Sequence, residues 1–157
     1  MSNCAAAGAV MTAKYRVAII GSGRSGGLIE DELPVGDRRK PYGHFSAYTA
    51  IPETEVVAVA NRGAERLERF VERFDVANTY LDYRDMITTE RPDIVSVATQ
   101  PEHRAEIVIY AAEHGAKAIY GEKAMAASMP EADAIVEVCE RYGVLFNLGS
   151  QRRWQRG

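Results

Sequence analysis

Short apolar runs alternate along this chain with longer segments in which apolar residues recur every three or four positions. The runs are rich in β-branched residues, and runs of this length predict buried β-strands. Six strands are predicted, at residues 15–20, 55–60, 77–81, 93–99, 117–121 and 144–149.

The intervening segments have the pattern of amphipathic helices. In one of them, Leu67, Phe70, Val71 and Phe74 fall on a single stripe of an otherwise charged helix. A later segment places Cys139 on a similar apolar stripe, where it is expected to pack as a small hydrophobe.

Capping signals mark where two of these helices begin. Ser128 and Glu131 have the spacing of a capping box, and Thr99 and Glu102 have the same spacing before an earlier helix. Gly143 is predicted to end the helix that begins near Ser128.

Strands that alternate with helices indicate βαβ units, whose right-handed crossovers produce a mainly parallel sheet with helices on both faces. The predicted fold is therefore a doubly wound α/β domain over residues 15–150, after a loose tail at 1–14. Residues 33–43 are rich in proline and glycine and predict an inserted surface loop. A short helix is expected before the loop, and a second helical turn after it, near residues 44–50.

Composition narrows the classes of function. The 157 residues are 46% hydrophobic and 26% charged, which is typical of one soluble domain. The net charge of -3 does not indicate a nucleic-acid-binding surface. Cys4 and Cys139 predict neither a disulfide framework nor a metal site. No apolar run approaches the ~20 residues of a membrane span, and the start lacks a basic signal region, so a cytoplasmic protein is expected.

A glycine motif follows the first strand. Gly21 would allow a tight turn, Gly23 would let a pyrophosphate approach the backbone, and Gly26 would let the following helix pack on the strand. A helix opening after Gly23 would also present N–H groups to the diphosphate. The alternative is a glycine-rich connector without a ligand. The predicted site also includes the other residues of the turn, Ser22, Arg24 and Ser25.

The end of the second strand bears on the choice of cofactor. A carboxylate usually holds the adenosine ribose there, but this chain has Asn61 followed by Arg62. Asn61 can hydrogen-bond the ribose without repelling a 2′-phosphate, and Arg62 can pair with that phosphate. The prediction is NADP in preference to NAD. The alternative is that Arg62 is an exposed charge at the start of a helix.

A Glu-Lys pair, Glu122 and Lys123, ends the fifth strand, at the edge where open α/β sheets bind ligands. Lys123 could hydrogen-bond a substrate hydroxyl and help to move its proton while hydride leaves the carbon. The spacing alone equally allows a surface ion pair.

These motifs, in this order, resemble the Gfo/Idh/MocA oxidoreductases over nearly all of residues 15–153. The resemblance implies an N-terminal Rossmann domain that binds NAD or NADP, with Glu122 and Lys123 matching the family's Glu-Lys-Pro motif. It implies that Gln151 and Arg152 begin the crossing into a second domain, with 151–157 as linker. Residues beside the cofactor after the fourth strand would be Thr99, Gln100, Pro101 and His103.

Two departures from the family pattern carry their own expectations. Ala124 replaces the motif's proline, and since alanine prefers a trans peptide bond, Lys123 is expected to be aimed less rigidly. The resemblance implies a second domain, which usually supplies a His and an Asp, and this chain is expected to lack it. None of the three histidines, His44, His103 and His114, lies in a matching position.

The resulting expectation is the NAD(P)-binding domain of an oxidoreductase that transfers hydride between nicotinamide and a sugar, polyol or related hydroxy compound. Alone, the chain should bind dinucleotide and turn over poorly. The alternatives are a stand-alone NAD(P)-binding or regulatory module, or a truncated gene product. A homo-oligomer could form if the full protein has a second domain. An exposed apolar flank, where that domain should pack, would support truncation.

Overall fold

A computed structural model describes residues 13–34, 41–76 and 78–150, whose strands form one six-stranded sheet. The strands are β1 (Tyr15–Ile20), β2 (Thr54–Ala60), β3 (Asn78–Tyr80), β4 (Ile94–Val97), β5 (Ala118–Glu122) and β6 (Leu145–Gly149). Their order is β3-β2-β1-β4-β5-β6, and every neighbouring pair is parallel. The predicted doubly wound α/β fold is confirmed.

Helices connect the strands. After a five-residue 3₁₀ helix (Leu28–Glu32) come α1 (His44–Thr49), α2 (Ala64–Arg73), α3 (Tyr83–Glu90), α4 (Pro101–Glu113) and α5 (Met129–Tyr142). The buried apolar side chains form two clusters, as expected for a sheet covered on both faces.

The two clusters explain why the strands read as continuous apolar runs. Successive side chains of a strand point to opposite faces, so Val17 and Ile19 join one cluster while Ala18 and Ile20 join the other. All four are nearly or completely buried. Phe45 from α1 and aromatic residues of the α2 segment pack on the first face.

The apolar stripe predicted for α2 includes one residue that is not buried. Leu67, Phe70 and Phe74 are buried, but Val71 is 41% exposed. The helix ends at Arg73 and touches the sheet along a stripe narrower than the apolar pattern suggested. Cys139 is a buried free thiol, as predicted, and burial raises its pKa.

One predicted cap is confirmed and one is wrong. Ser128 and Glu131 form the reciprocal capping box of α5, and Gly143 ends that helix in the left-handed conformation. Thr99 does not cap α4, which has Gln100 at its N-cap and Pro101 as its first residue. Proline favours the first helical position, and this start moves Thr99 outside the helix.

The glycine motif is followed by less helix than expected. No helix opens directly after Gly23; residues 24–27 form turns, and the 3₁₀ helix begins at Leu28. The helical turn predicted after the inserted loop is confirmed as α1. Most of the loop (35–40), the tail up to residue 12, and residues 151–157 lie outside the described residues.

The buried carboxylate of Glu30 joins the two sides of the insertion. It accepts hydrogen bonds from the backbone N–H groups of Tyr42, at 3.1 Å, and Gly43, at 3.3 Å. The chain therefore returns to the 3₁₀ helix after the loop. None of the helices in the described part of the chain has the length and apolar character needed to cross a membrane.

Asp93 ties together the amino-terminal ends of three strands. Its carboxylate accepts the backbone N–H of Arg16 at 2.9 Å and the ammonium of Lys117 at 2.6 Å. The Lys117 hydrogen bond, followed by that of Arg16, holds the pKa of the Asp93 carboxyl below its ordinary value. Because Lys117 is largely exposed, water screens its share, and the Arg16 bond contributes more of the stability.

Replacing Asp93 by Asn should lower the free energy of unfolding by about 1–2 kcal/mol at pH 7. A carboxyl with a lowered pKa stabilises the fold above its unfolded pKa of about 3.9, and this stabilisation is lost as pH falls through the folded value. In urea denaturation, the unfolding free energy that Asp93→Asn loses relative to the wild type should therefore be smaller at pH 3.5 than at pH 7. Asp133→Asn, at an exposed position of α5, is the control; an equal deficit at both pH values would contradict the assignment.

Candidate functional site

The residues singled out in the sequence gather along one edge of the sheet. Carboxyl ends of parallel strands meet at the same edge, so the order there is Asn61 after β2, Gly21 after β1, Thr99 after β4 and Glu122 at the end of β5. Three interstrand spacings separate the first from the last, roughly 14 Å. The chain changes direction across the sheet between β1 and β4, where α/β folds form their ligand crevice.

Steric contacts exclude a side chain at two of the three glycines of the turn. A Cβ on Gly21 would lie 2.6 Å from the carbonyl oxygen of Ala98, and the residue has a φ of 105°. A Cβ on Gly26 would lie 2.1 Å from the carbonyl oxygen of Gly21. Both positions therefore require glycine for the fold itself. Gly23 differs, because a Cβ there would meet no heavy atom within 4 Å.

The turn offers backbone donors beside that open space. The carbonyl of Gly23 accepts the N–H groups of Gly27 and Leu28, both at 3.2 Å, so the chain curls as a helical turn does. Within the described part of the chain, the N–H groups of residues 22–26 donate to no backbone acceptor. An anion beside Gly23 could receive them.

Two buried hydroxyl groups beside the crevice between β1 and β4 have no hydrogen-bond partner among the described residues. Ser22 Oγ in the glycine turn and Thr99 Oγ1 after β4 make no hydrogen bond within the described residues. Leaving a buried hydroxyl unpaired costs about 1–3 kcal/mol, so these atoms suit a polar ligand in the crevice.

At the end of β2, Asn61 is held by its neighbours and Arg62 is not. The backbone N–H of Asn61 donates to the carbonyl of Tyr80, and its Nδ2 donates to the carbonyl of Gly63, both at 3.0 Å. Arg62 is exposed and forms no ion pair or hydrogen bond with the residues that the structure describes. Its guanidinium is available to a ligand.

The remaining predicted site residues are more varied. Arg24 is paired with Glu32 in a bidentate, exposed arrangement, with Nη2 2.7 Å from Oε2. Ser25 is half-buried, and its carbonyl binds the start of α1. At the start of α4, Gln100 and Pro101 form the cap and first residue, and His103 is half-buried in the first turn. Gln151 and Arg152 lie outside the described residues.

Lys123 follows β5 with an exposed side chain. That Lys123 is aimed less rigidly stays a prediction, but its peptide bond to Ala124 is cis, so the expectation of a trans bond is wrong. That expectation came from the intrinsic preference of an isolated alanine peptide, whereas the isomer here belongs to the folded chain.

His44 is a component of the site that the sequence did not reveal. Its ring is only 7% exposed, with Nδ1 2.8 Å from Ser96 Oγ and Nε2 3.1 Å from Glu122 Oε1. The ring also packs edge-on against Tyr120. Ser96 and Glu122 are 52 and 78 positions away, so no local motif could have joined the three residues.

The Glu122 carboxylate is favoured in its charged form. Its hydrogen bond with His44 lowers its pKa most, and the backbone N–H of Lys123 contributes in the same direction. The carboxylate is therefore a fixed negative charge beside the lysine of the Glu-Lys pair.

Arg104, in the first turn of α4, was also missed. It is 1% exposed, and its Nη2 donates to the carbonyl of Thr99. Its Nε and Nη1 have no hydrogen-bond partner within the described residues, and burial lowers its pKa although Glu122 opposes this. Arg104 is a charged residue in a predicted helix, and nothing in the sequence pattern indicated that it would be buried.

Comparison with protein families finds one matching model, GFO_IDH_MocA, described as an oxidoreductase family with an NAD-binding Rossmann fold. It matches residues 15–150. A solved structure of myo-inositol 2-dehydrogenase from Lactobacillus plantarum superposes with a TM-score of 0.73 at 26% identity, over 90% of this chain and 38% of that one.

Curated relatives agree with the family match. D-apiose dehydrogenase from Paraburkholderia graminis is 35% identical over 71% of this chain and 30% of its own length. Myo-inositol 2-dehydrogenase from Thermotoga maritima is 23% identical over 90% of this chain and 37% of its own length. The chain thus spans about a third of the length of these relatives.

The steric difference between the glycines predicts different effects of alanine. Gly23→Ala should leave the free energy of unfolding within about 0.5 kcal/mol of the wild type, because its Cβ enters open space. The same methyl group should obstruct the pyrophosphate and weaken dinucleotide binding about tenfold or more, measured by fluorescence titration. Gly26→Ala should destabilise the fold by about 3 kcal/mol or more in urea denaturation. If Gly23→Ala binds the dinucleotide as tightly as the wild type does, the pyrophosphate does not lie beside Gly23.

Proposed function

The chain belongs to the Gfo/Idh/MocA family of oxidoreductases, and from this premise we propose that residues 15–150 form the dinucleotide-binding domain of a dehydrogenase. The observation that carries the proposal is the row of polar groups along the carboxyl edge of the sheet. It runs from Asn61 through the glycine turn to the Glu122–Lys123 pair.

The residues present fit a dinucleotide. The space beside Gly23 and the N–H groups of residues 22–26 suit a pyrophosphate, and the unpaired hydroxyls of Ser22 and Thr99 suit polar groups next to it. Asn61 and Arg62 would hold the adenosine ribose. Gln100, Pro101 and His103 would line the crevice on the far side, toward the nicotinamide.

We assign Lys123 to the substrate. A bound nicotinamide ring supplies or accepts the hydride, and the protein's part is to position the reactants and to handle the proton. The Lys123 ammonium would donate a hydrogen bond to the substrate hydroxyl and stabilise negative charge that develops on its oxygen. A sugar or polyol is the proposed substrate class, because the similar dehydrogenases are named for apiose and inositol.

We propose NADP as the preferred cofactor. No carboxylate occupies the end of β2, where it would repel a 2′-phosphate, and the exposed Arg62 guanidinium is unpaired among the described residues. A bidentate pair between arginine and phosphate is a strong, charge-assisted interaction. Asn61 keeps the ribose contact in either cofactor.

Titration with the two reduced cofactors tests this preference. Wild type should bind NADPH more tightly than NADH, and Arg62→Ala should weaken NADPH binding about tenfold, or about 1.4 kcal/mol, with little effect on NADH. Arg69→Ala, an exposed arginine further along α2, is the matched control. Tighter binding of NADH by the wild type would refute the preference, as would equal loss of both cofactors in Arg62→Ala.

We further propose that these residues bind the cofactor but need more protein for efficient turnover. The chain spans about a third of its curated relatives. His44 is engaged by Ser96 and Glu122, and His114 stacks on Tyr110 at the end of α4. Apolar side chains are exposed on α5 and β6, where further protein could pack: Met129, Val136, Tyr142, Leu145 and Leu148.

Incubation of the purified chain with NADP and either myo-inositol or D-apiose should show binding without appreciable reduction of the cofactor. Any residual rate should match that of Lys123→Ala, because positioning is incomplete in both proteins. Fast NADPH formation by the wild type that Lys123→Ala abolishes would contradict incompleteness while supporting the assignment of Lys123.

A further inference from the structure

His44 contacts three parts of the candidate site. Its backbone N–H donates to the carbonyl of Ser25 in the glycine turn, at 2.9 Å. Its ring nitrogens reach Ser96 on β4, at 2.8 Å, and Glu122 at the end of β5, at 3.1 Å. One buried residue therefore joins the proposed pyrophosphate turn to the Glu-Lys pair.

The hydrogen bonds of this network have a consistent direction. A carboxylate only accepts, so His44 Nε2–H donates to Glu122, and Nδ1 shares a hydrogen bond with the Ser96 hydroxyl. The Tyr48 phenol lies close to Ser96, and burial raises its pKa.

The network ends beside the lysine. Lys123 follows Glu122 directly in the chain, and its backbone N–H helps to lower the pKa of the Glu122 carboxyl. Other charged or titratable groups that act on this region are Arg104 and Tyr120. Arg104 donates to the carbonyl of Thr99, and Tyr120 packs against the His44 ring.

We propose that His44 is a positioning residue that holds Glu122, and through it the backbone of Lys123, in a set place relative to the glycine turn. The role of Lys123 toward substrate rests on the proposed function. His44 itself is not assigned to the chemistry, because its ring is buried and both nitrogens are already hydrogen-bonded.

Two isosteric variants separate the contacts of the ring. The amide of Gln at position 44 can reach Glu122 in place of Nε2, whereas the shorter amide of Asn replaces Nδ1 and reaches only Ser96. His44→Ala removes both contacts, and Ser96→Ala removes only the far one. Gln and Asn have the same polarity, so their comparison does not depend on the alanine variant folding.

Heteronuclear NMR on the 157-residue chain measures the positioning directly. The signals of the Glu122 side-chain carboxyl carbon and the Lys123 amide are followed from pH 3 to pH 7. The Glu122→Gln variant, which has no carboxyl at this position, identifies the change in the Lys123 amide signal that is caused by titration of Glu122. In wild type and His44→Gln, both signals should titrate together below the ordinary Glu value of about 4.3. In His44→Asn the midpoint should rise by about one pH unit, and the Lys123 amide signal should move toward that of a less restrained peptide.

The result that overturns the inference is a Glu122 midpoint and Lys123 amide signal that are the same in His44→Asn and His44→Gln. Ser96→Ala should retain the wild-type Glu122 midpoint, and a rise as large as that of His44→Asn would also overturn it. NADPH titration of the same proteins separates this test from the proposed function. A chain that binds no dinucleotide would refute that function, while the NMR series would still decide the part played by His44.

Discussion

The packing of the glycine turn against the end of β4 is the constraint on which the site depends. Side chains are excluded at Gly21 by the carbonyl of Ala98 and at Gly26 by the carbonyl of Gly21. These contacts bring the chain after β1 onto the neighbouring strand at the point where the strand order reverses. The crevice, the open side of Gly23 and the donors of residues 22–26 all follow from that packing.

The segment after the glycine turn is tied back to that turn by hydrogen bonds. A compact crossover would use one helix, but here a 3₁₀ helix and α1 both lie between β1 and β2. The N–H groups of His44 and Phe45 donate to the carbonyls of Ser25 and Gly26, and Glu30 receives the returning backbone. These hydrogen bonds bring His44 back to the sheet.

Buried polar groups near the sheet edge fall into two kinds. Ser96, His44 and Glu122 satisfy one another and so belong to the framework of the protein. Ser22 and Thr99 have hydroxyls, and Arg104 has guanidinium nitrogens, that find no acceptor or donor in the described residues. Because unpaired buried polar groups are costly, their concentration beside the crevice is the physical sign of a ligand-binding edge.

The sequence by itself determined the six strands, their alternation with helices, the parallel sheet and the capping box at Ser128, because these depend on local periodicity and short-range hydrogen bonds. It also located the glycine turn and the Glu-Lys pair. Only the tertiary structure decided what lies between them: the contacts of His44 with Ser96 and Glu122, the buried Arg104, and the isomer of the Lys123–Ala124 bond. These features join residues far apart in the chain or run against local preference. Packing across the sheet specifies the contacts of His44 and the burial of Arg104, and no pattern of neighbouring residues indicates either.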